Sequence, residues 1–308
     1  MPGAGYLVER LLQAIVCILG ISVIVFSITY LIGDPVHLLL PPEASAADRE
    51  AFRSAMGLDR PALERYGLFV LNAIQGDLGQ SYRYHMPVVE VVLERFPATL
   101  ELAVAAIVFA VVLGIGSGML SAVRPGSAWD RMVELIALSG MAAPTFWVGI
   151  MLIWLFAVEL HIFPTAGRSG AASLVLPAVT LGLYSAAVIS RMTRSTVLEA
   201  LGEDFVRTAV LKGAPQRVIL FVHCLKFVLP ALVTIVSLQF VLLLSGAVIT
   251  ETVFSWPGVG RLLVQSASGG DYPVVQGLTL LLSVAFVLIQ LLSDLLQFAL
   301  DPRLRASA

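Results

Sequence analysis

MTRSTVLEALGEDFVRTAVLKGAPQRVILFVHCLK, residues Met192–Lys226, is a charged island between long apolar runs, and its reading decides the fold. Gly202-Glu203-Asp204 opens a helix with its acids at the end where the helix dipole favours negative charge. Phe205, Val206, Ala209 and Val210 then fall on one stripe, while Arg207, Thr208 and Lys212 face elsewhere. Gly213 suits the left-handed backbone that ends a helix, and Pro215 restarts one at its first turn. The expectation is a short helix, a hard corner, and a second helix through His223 toward Leu229-Pro230, where another apolar run opens. Such an island is too small for a domain. An exposed apolar stripe on so short an element suits a groove on a cytoplasmic partner. A helix lying on lipid is the alternative, and Thr208 with the paired acids disfavours it.

Outward from the island the chain is apolar. Hydrophobic residues make up 58% and charged residues 13% of the sequence, with mean hydropathy +0.91. Soluble domains carry about a quarter charged residues, so this composition marks an integral membrane protein. Six runs, at about 10–32, 98–123, 132–160, 173–191, 227–250 and 276–300, have the roughly 20 apolar residues that a helix needs to cross a bilayer. They are continuous and rich in Leu, Val, Ala and Ile, which excludes the alternating segments of a membrane β-barrel. The fold class is all-α, with six transmembrane helices. A net charge of −2 gives no basic surface for nucleic acid, and two cysteines, Cys17 and Cys224, cannot build a zinc site. The first run is too long for a signal peptide's apolar core and is expected to remain as an anchor.

Lys and Arg set the orientation. With the N-terminus inside, cytoplasmic segments hold Arg10, Arg124, Arg131, Arg191, Arg194, Arg207, Lys212, Arg217, Lys226, Arg303 and Arg305, and the short outer loops hold only Arg168 and Arg261. The loop 33–97 carries six arginines, but loops of that length translocate largely regardless of charge. Both termini are therefore expected in the cytoplasm of a multi-pass cell-membrane protein. The organisation expected is a first span over 1–32, an extracytoplasmic helical loop over 33–97, a five-span core over 98–300 containing the cytoplasmic loop 192–226, and a tail over 301–308. Within the outer loop, Ala46–Met56 and Pro61–Gln75 read as amphipathic helices around the turn Gly57-Leu58-Asp59-Arg60-Pro61. Pro87–Arg95 reads as a third helix that ends before Pro97. The loop serves either as a cap over the outer mouth or as a docking surface.

Several segments carry a resemblance. GEDFVRTAVLKG (202–213), then HCLKFVLP (223–230), is similar to the conserved cytoplasmic loop of binding-protein-dependent ABC importer permeases, in the form seen in the dipeptide/oligopeptide/nickel branch. Phe227 stands where that branch usually has Asn. Gly33-Asp34-Pro35, Gly76-Asp77-Leu78-Gly79 with Ser81-Tyr82, Arg95–Leu102, Pro144-Thr145-Phe146-Trp147, Glu251–Gly260, Asp271-Tyr272-Pro273 and Asp301-Pro302-Arg303 resemble further segments of the branch in order. The resemblance implies a type I ABC importer permease. Two homologous permeases form the pore, two ATPases drive it, and an extracytoplasmic solute-binding protein delivers di- or oligopeptides. Nickel chelate, glutathione or haem are the alternative cargoes within this fold. It also implies that the short cytoplasmic helix couples to the ATPase. The positions for that role are Glu203, Asp204, Phe205, Val206, Arg207, Thr208, Ala209, Lys212, Gly213, Ala214, Pro215 and Gln216. Differential contacts in two states are what make such coupling possible.

No GxxxxGK[ST] phosphate loop occurs in the sequence, so ATP and Mg belong to partner subunits and the chain itself needs no cofactor and no metal. Gly116-Ser117-Gly118 superficially suggests a serine nucleophile, but His37, His85, His161 and His223 fall outside span interiors, and close helix packing is the better reading. No catalytic residue is assigned. Ionisable residues near spans are functional candidates by default. Glu134 and Glu159 lie near span ends and reach water; Asp294 bonds a neighbouring helix. Candidates for the translocation path or its gate are Thr234, Ser237, Gln239, Ser245, Trp256, Pro257, Gly258, Gln290 and Asp294, with Trp256-Pro257-Gly258 expected to shape a rigid outer lid. A stand-alone channel or secondary transporter is the reading from another class, but neither a midplane charge relay nor a repeat of broken helices is evident.

Overall fold

Buried apolar stripes, rather than the limits of the apolar runs, set where the helices begin and end. The computed structural model describes residues 4–32, 36, 40, 45–55 and 59–300. Among them the elements are helical: α1 Ala4–Ile32, α2 Ala46–Ala55, α3 Ala62–Ile74, α4 Val88–Val123, α5 Ala128–Ala142, α6 Thr145–Glu159, α7 Ala171–Gly202, α8 Asp204–Leu211, α9 Gln216–Val253, α10 Val259–Ser268 and α11 Tyr272–Leu300. Five are long and apolar enough to cross a membrane, and α5 with α6 makes a sixth if the bent pair is one span. The Gly33-Asp34-Pro35 and Asp301-Pro302-Arg303 segments, and Met56, Gly57 and Leu58, lie outside the described residues.

The chain divides into two units. Of the described residues, one comprises 98–257 with 289–300, and the other those within 4–97 with 258–288. In the first unit α7 is the central element. Ile189, Thr193, Val197 and Ala200 are buried, a continuous face at helical spacing that carries α7 beyond the span expected to close at Arg191. The polar island therefore does not start as a separate element; its first residues complete α7 and the break falls at Glu203.

Glycines let neighbours approach α7. A Cβ on Gly182 would stand 2.6 Å from the Ala106 carbonyl oxygen of α4, and one on Gly118 would press into the Ser190 carbonyl. The small-residue reading of the Gly116-Ser117-Gly118 stretch holds for Gly118, whereas Gly116 faces open space.

Three helices depart from the sequence reading, each at a proline. The run 132–160 is not one straight span: α5 and α6 are bent by 107°. Ala143, preceding Pro144, takes extended backbone with ψ 129°, as the proline ring disfavours helical conformation in the residue before it. The helix expected to stop before Pro97 instead runs on as α4. Pro97 removes one ladder bond, but Val88, Val91 and Val92 before it, and Ala98, Leu102 and Ala106 after it, are all buried. Leu229-Pro230 likewise opens no new helix, because α9 already runs from Gln216. Its Ile219–Cys224 stretch has wide π-type turns a few residues before the proline.

In the second unit Leu78, Val88, Val91, Val92, Val259, Leu262, Val274 and Leu278 form one core. Gly277 permits it, since a Cβ there would lie 2.5 Å from Val88. Helix α3 packs on α1 through Phe26 and Tyr66, whose ring centroids are 5.4 Å apart, and Ser22 Oγ lies 2.8 Å from the Tyr66 hydroxyl.

Candidate functional site

The short helix α8 is cut out of the chain by two backbone events. Glu203, at φ −76° and ψ 152°, breaks it from α7. At its other end Gly213 N donates to Val210 O and Ala214 N to Ala209 O, with Gly213 at φ 76°. That bond pair is the Schellman closure, and the left-handed residue it needs is the glycine foreseen at 213. Pro215, extended at ψ 148°, then starts α9 at Gln216.

Which face of α8 points outward differs from the sequence reading. Val206 and Ala209 are buried against Met119, Ala122, Val197, Ala200, Ile219, Leu220, Cys224 and Val228, and Phe205 stacks on Phe227 with centroids 5.3 Å apart. Most of the stripe therefore anchors α8 to its own unit. An apolar face at the end of α7 finds its partners within the same chain before any other protein is present. The face left outside combines Asp204, Arg207, Thr208, Val210 and Lys212 with Leu211, which is 88% exposed. Glu203, Pro215 and Gln216 are exposed beside it, and Ala214 is half-buried. The Asp204–Arg207 pair, 3.4 Å apart and open to solvent, contributes little stability.

Above α8 sits a clamp that the sequence reading missed. Asp130, at the start of α5, is buried and takes both Arg194 Nε at 2.7 Å and Arg194 Nη2 at 2.8 Å from α7. Ser121 Oγ and Gly126 N, the latter at 2.7 Å, donate to the same carboxylate. Four donors and a bidentate geometry make this a strong buried pair. Its one sequence signal is local: Ser127 caps α5 by accepting from Asp130 N at 3.1 Å, the third residue after the cap. The partner lies 64 positions away, beyond the reach of any local pattern.

The pathway candidates do not form one lining. Thr234 and Ser245 are exposed and Ser237 is half-buried on one face of α9, and the first two hydroxyls bond Pro230 O and Val241 O of their own helix. Gln239 is buried on the opposite side, and its Oε1 has no hydrogen-bond partner among the described residues. Trp256 is held in the interior of its unit rather than exposed. It is fully buried, and its indole Nε1 donates to Ala98 O at 2.8 Å. Pro257 is half-buried and Gly258 buried. Gln290 is exposed and donates to the buried Asp294 one turn later on α11, at 3.2 Å.

The segments of the resemblance meet one another. Thr99 donates to the fully buried Glu251 at 2.5 Å, close to the Trp256–Ala98 bond, so the RFPATLEL and ETVFSW stretches are pinned together. In the other unit Asp271 accepts from Ser81 Oγ at 2.5 Å, from Tyr82 N at 3.0 Å and from Arg83 N at 3.3 Å, joining GDLGQSY to DYP. Burial pushes the Tyr82 phenol above its ordinary range, and the Asp271 charge adds to the rise.

An apolar cavity of about 440 Å³ opens among α4, α5 and α7, with Gly116, Trp129 and Leu183 in its wall. Ser117, at its side, donates to Leu113 O and lies 2.8 Å from the Ser190 hydroxyl, which accounts for its polar contacts. Among the described residues no cluster of His, Cys, Asp or Glu could hold a metal.

Comparison with known proteins gives one answer. Residues 110–306 match the model of binding-protein-dependent transport system inner membrane components, and residues 4–103 match that of the N-terminal part of such components. The glutathione transport system permease GsiC of Escherichia coli K12 is 40% identical over 302 residues, covering 98% of this chain and 99% of that protein. The dipeptide transport system permease DppB of the same strain is 38% identical, covering 97% and 98%. Among solved structures, an inward-facing form of the MetNI methionine ABC transporter aligns with TM-score 0.60 at 22% identity, covering 68% of this chain and 96% of that one. The chain belongs to the family of inner-membrane permease components of binding-protein-dependent ABC importers.

Proposed function

We propose that this permease carries short peptides, glutathione among them, and that α8 is the element through which separate ATPases drive it. The cargo reading rests on the two relatives of nearly full length, one transporting glutathione and the other dipeptides. A second homologous permease completes the pathway, two ATPase subunits bind ATP and Mg, and an extracytoplasmic binding protein delivers the solute. The chain carries out no hydrolysis itself, consistent with its lack of a phosphate loop. Both termini lie in the cytoplasm, as the Lys and Arg distribution favours.

The observation that carries the coupling role is the two-sided character of α8. Its inner face is locked to the unit through Val206 and Ala209, and its outer face presents a nearly bare Leu211 among charged residues. A rigid lever needs both properties: one face to transmit displacement and one to be gripped. Leu211 is the apolar anchor for a groove on the ATPase, because desolvated central residues dominate interface energies. The test is Leu211→Glu. ATPase co-purification in mild detergent should fall at least tenfold while the level of permease in the membrane is unchanged. ATPase recovery equal to wild type would overturn the role of α8.

A further inference from the structure

Helix α7, buried over much of its length, has an open stripe toward its end: Tyr184 and Arg191 are exposed, Val188 is half-buried between them, and Ser195 and Glu199 continue the line, with Met192 exposed beside it. These positions recur at helical spacing, so they share a face. Arg191 stands out in it because its guanidinium reaches across to α5. Nη1 lies 3.7 Å from Met141 Sδ, and among the described residues no carboxylate pairs with it.

Met141 sits near the far end of α5, about 16 Å along that helix from the Asp130–Arg194 clamp. Arg191 is only about 5 Å from Arg194 along α7. A cation at a span end normally snorkels outward to water. This one, exposed along its stripe, reaches away from the clamp and toward the end of α5, just before the 107° bend at Pro144. The end of a helix carries partial negative charge, which favours a cation there. Pro144 adds to it, because a proline has no N–H to give the Gly140 carbonyl. Charged side chains at membrane depth face a bundle interior or a watered cavity rather than lipid. The broken α5–α6 pair supplies the irregular backbone such a cavity tolerates.

We infer that Arg191 is a solute-binding residue of the translocation path, which takes the carboxylate of the passing solute, with Tyr184 and Ser195 on the same wall. This rests on the peptide reading above and deepens it, because short peptides and glutathione all carry a free carboxylate at the C-terminus. A guanidinium resting on a neutral sulfur retains donors for a planar oxyanion and forms a bidentate pair with it. The soft thioether holds the side chain in place without competing for the charge. Transit requires that the site also release its solute, and the exposure of Arg191 keeps the pair from becoming a trap.

The experiment uses the complete transporter in liposomes, with binding protein, both permeases and ATPases, and labelled trialanine and glutathione as probes. Arg191→Gln should lower uptake ten- to a hundredfold, the range expected for losing a charge-assisted bond. ATPase co-purification and stimulation of hydrolysis by loaded binding protein should persist, and Arg191→Lys should restore a substantial share of uptake. Undiminished uptake in Arg191→Gln overturns the site while leaving the peptide reading intact. A wild-type transporter that moves neither probe refutes the peptide reading and the site with it.

A second measurement does not depend on that variant's folding. Val188→Cys, in a Cys17→Ser, Cys224→Ala background, should react with a water-soluble anionic methanethiosulfonate, and trialanine should slow the reaction severalfold more than trialanine amide. No reaction, the behaviour of a lipid-facing wall, or equal slowing by both peptides overturns the inference.

Discussion

Breaking the clamp between α5 and α7 should cost different amounts from its two sides. The Asp130 side chain is 3% exposed and that of Arg194 32%. Arg194→Met leaves a buried carboxylate with only Ser121 and Gly126 as donors. Stranding a buried charge costs about 3–5 kcal/mol. Asp130→Asn leaves a guanidinium that water already reaches, so the loss is that of a charged hydrogen bond, about 1–3 kcal/mol. The double variant removes both charges and should be no less stable than Arg194→Met alone, which makes the coupling energy about 2 kcal/mol. Denaturant titration of the purified permease in detergent would measure all three. The reasoning fails if Asp130→Asn is the more damaging substitution, or if the single effects add to within about 0.5 kcal/mol. A functional consequence accompanies the structural one. Val197 and Ala200 follow Arg194 on α7 and pack against Val206 and Ala209 of α8. Loosening the clamp should therefore weaken stimulation of ATP hydrolysis by loaded binding protein before it abolishes assembly.

Three further outcomes are expected. Gly213→Val forces a β-branched residue to φ 76°, at about 1–3 kcal/mol; transport and ATPase association should be lost while membrane insertion, read by fractionation, is retained. Gly118→Ala should destabilise by about 1–3 kcal/mol because its Cβ meets the Ser190 carbonyl, whereas Gly116→Ala, with nothing within 4 Å, should be neutral or gain up to about 1 kcal/mol from helix propensity. Equal melting temperatures for the two would contradict the packing. Asp271→Asn should loosen the 76–87 loop, raising its protease sensitivity, and should lower the Tyr82 phenol pKa. The negative charge disfavours phenolate, so its removal acts downward, but burial, the larger cause, remains. Spectroscopic titration should therefore find the phenol still above the ordinary tyrosine value.

Much of the architecture was legible because it depends on local chemistry. Continuous apolar runs gave the spans, and Gly213 with Pro215 gave the corner after α8, since a left-handed residue and a fixed φ need no distant partner. The prolines were harder to read. Pro144 breaks its helix, whereas Pro97 and Pro230 ride inside theirs, and the difference lies in the buried faces on either side rather than in the proline. The direction of the α8 stripe was misjudged for a related reason. Val206 and Ala209 looked available only because Met119, Val197 and Cys224, far off in sequence, could not be placed beside them. Among the path candidates, pattern alone could not tell that Gln239 and Thr234 lie on opposite sides of α9, because a mostly apolar helix gives no face to count from.

The buried acids share a logic that isolates Arg191. Asp130 joins positions 64 apart, Glu251 bonds Thr99 across 152, and Asp271 bonds Ser81 across 190; Asp294 takes the amide of Gln290. A carboxylate withdrawn from water is tolerated only where donors surround it, so the first three each fix two segments, Asp294 is satisfied from its own helix, and none changes partner without a large penalty. They are parts of the frame. A side chain that must bind and release solute in every cycle needs the opposite conditions: exposure and a weak resting partner. Arg191, held among the described residues by the sulfur of Met141 beside the α5–α6 bend, meets both. Supplying it with a fixed carboxylate should therefore stop transport without harming the fold. Met141→Glu, which places an acid against the guanidinium, is expected to give a permease at least as stable as wild type that assembles with its ATPases but takes up trialanine at least tenfold more slowly. Normal uptake in that variant would show that the charge at Arg191 is not on the route of the solute.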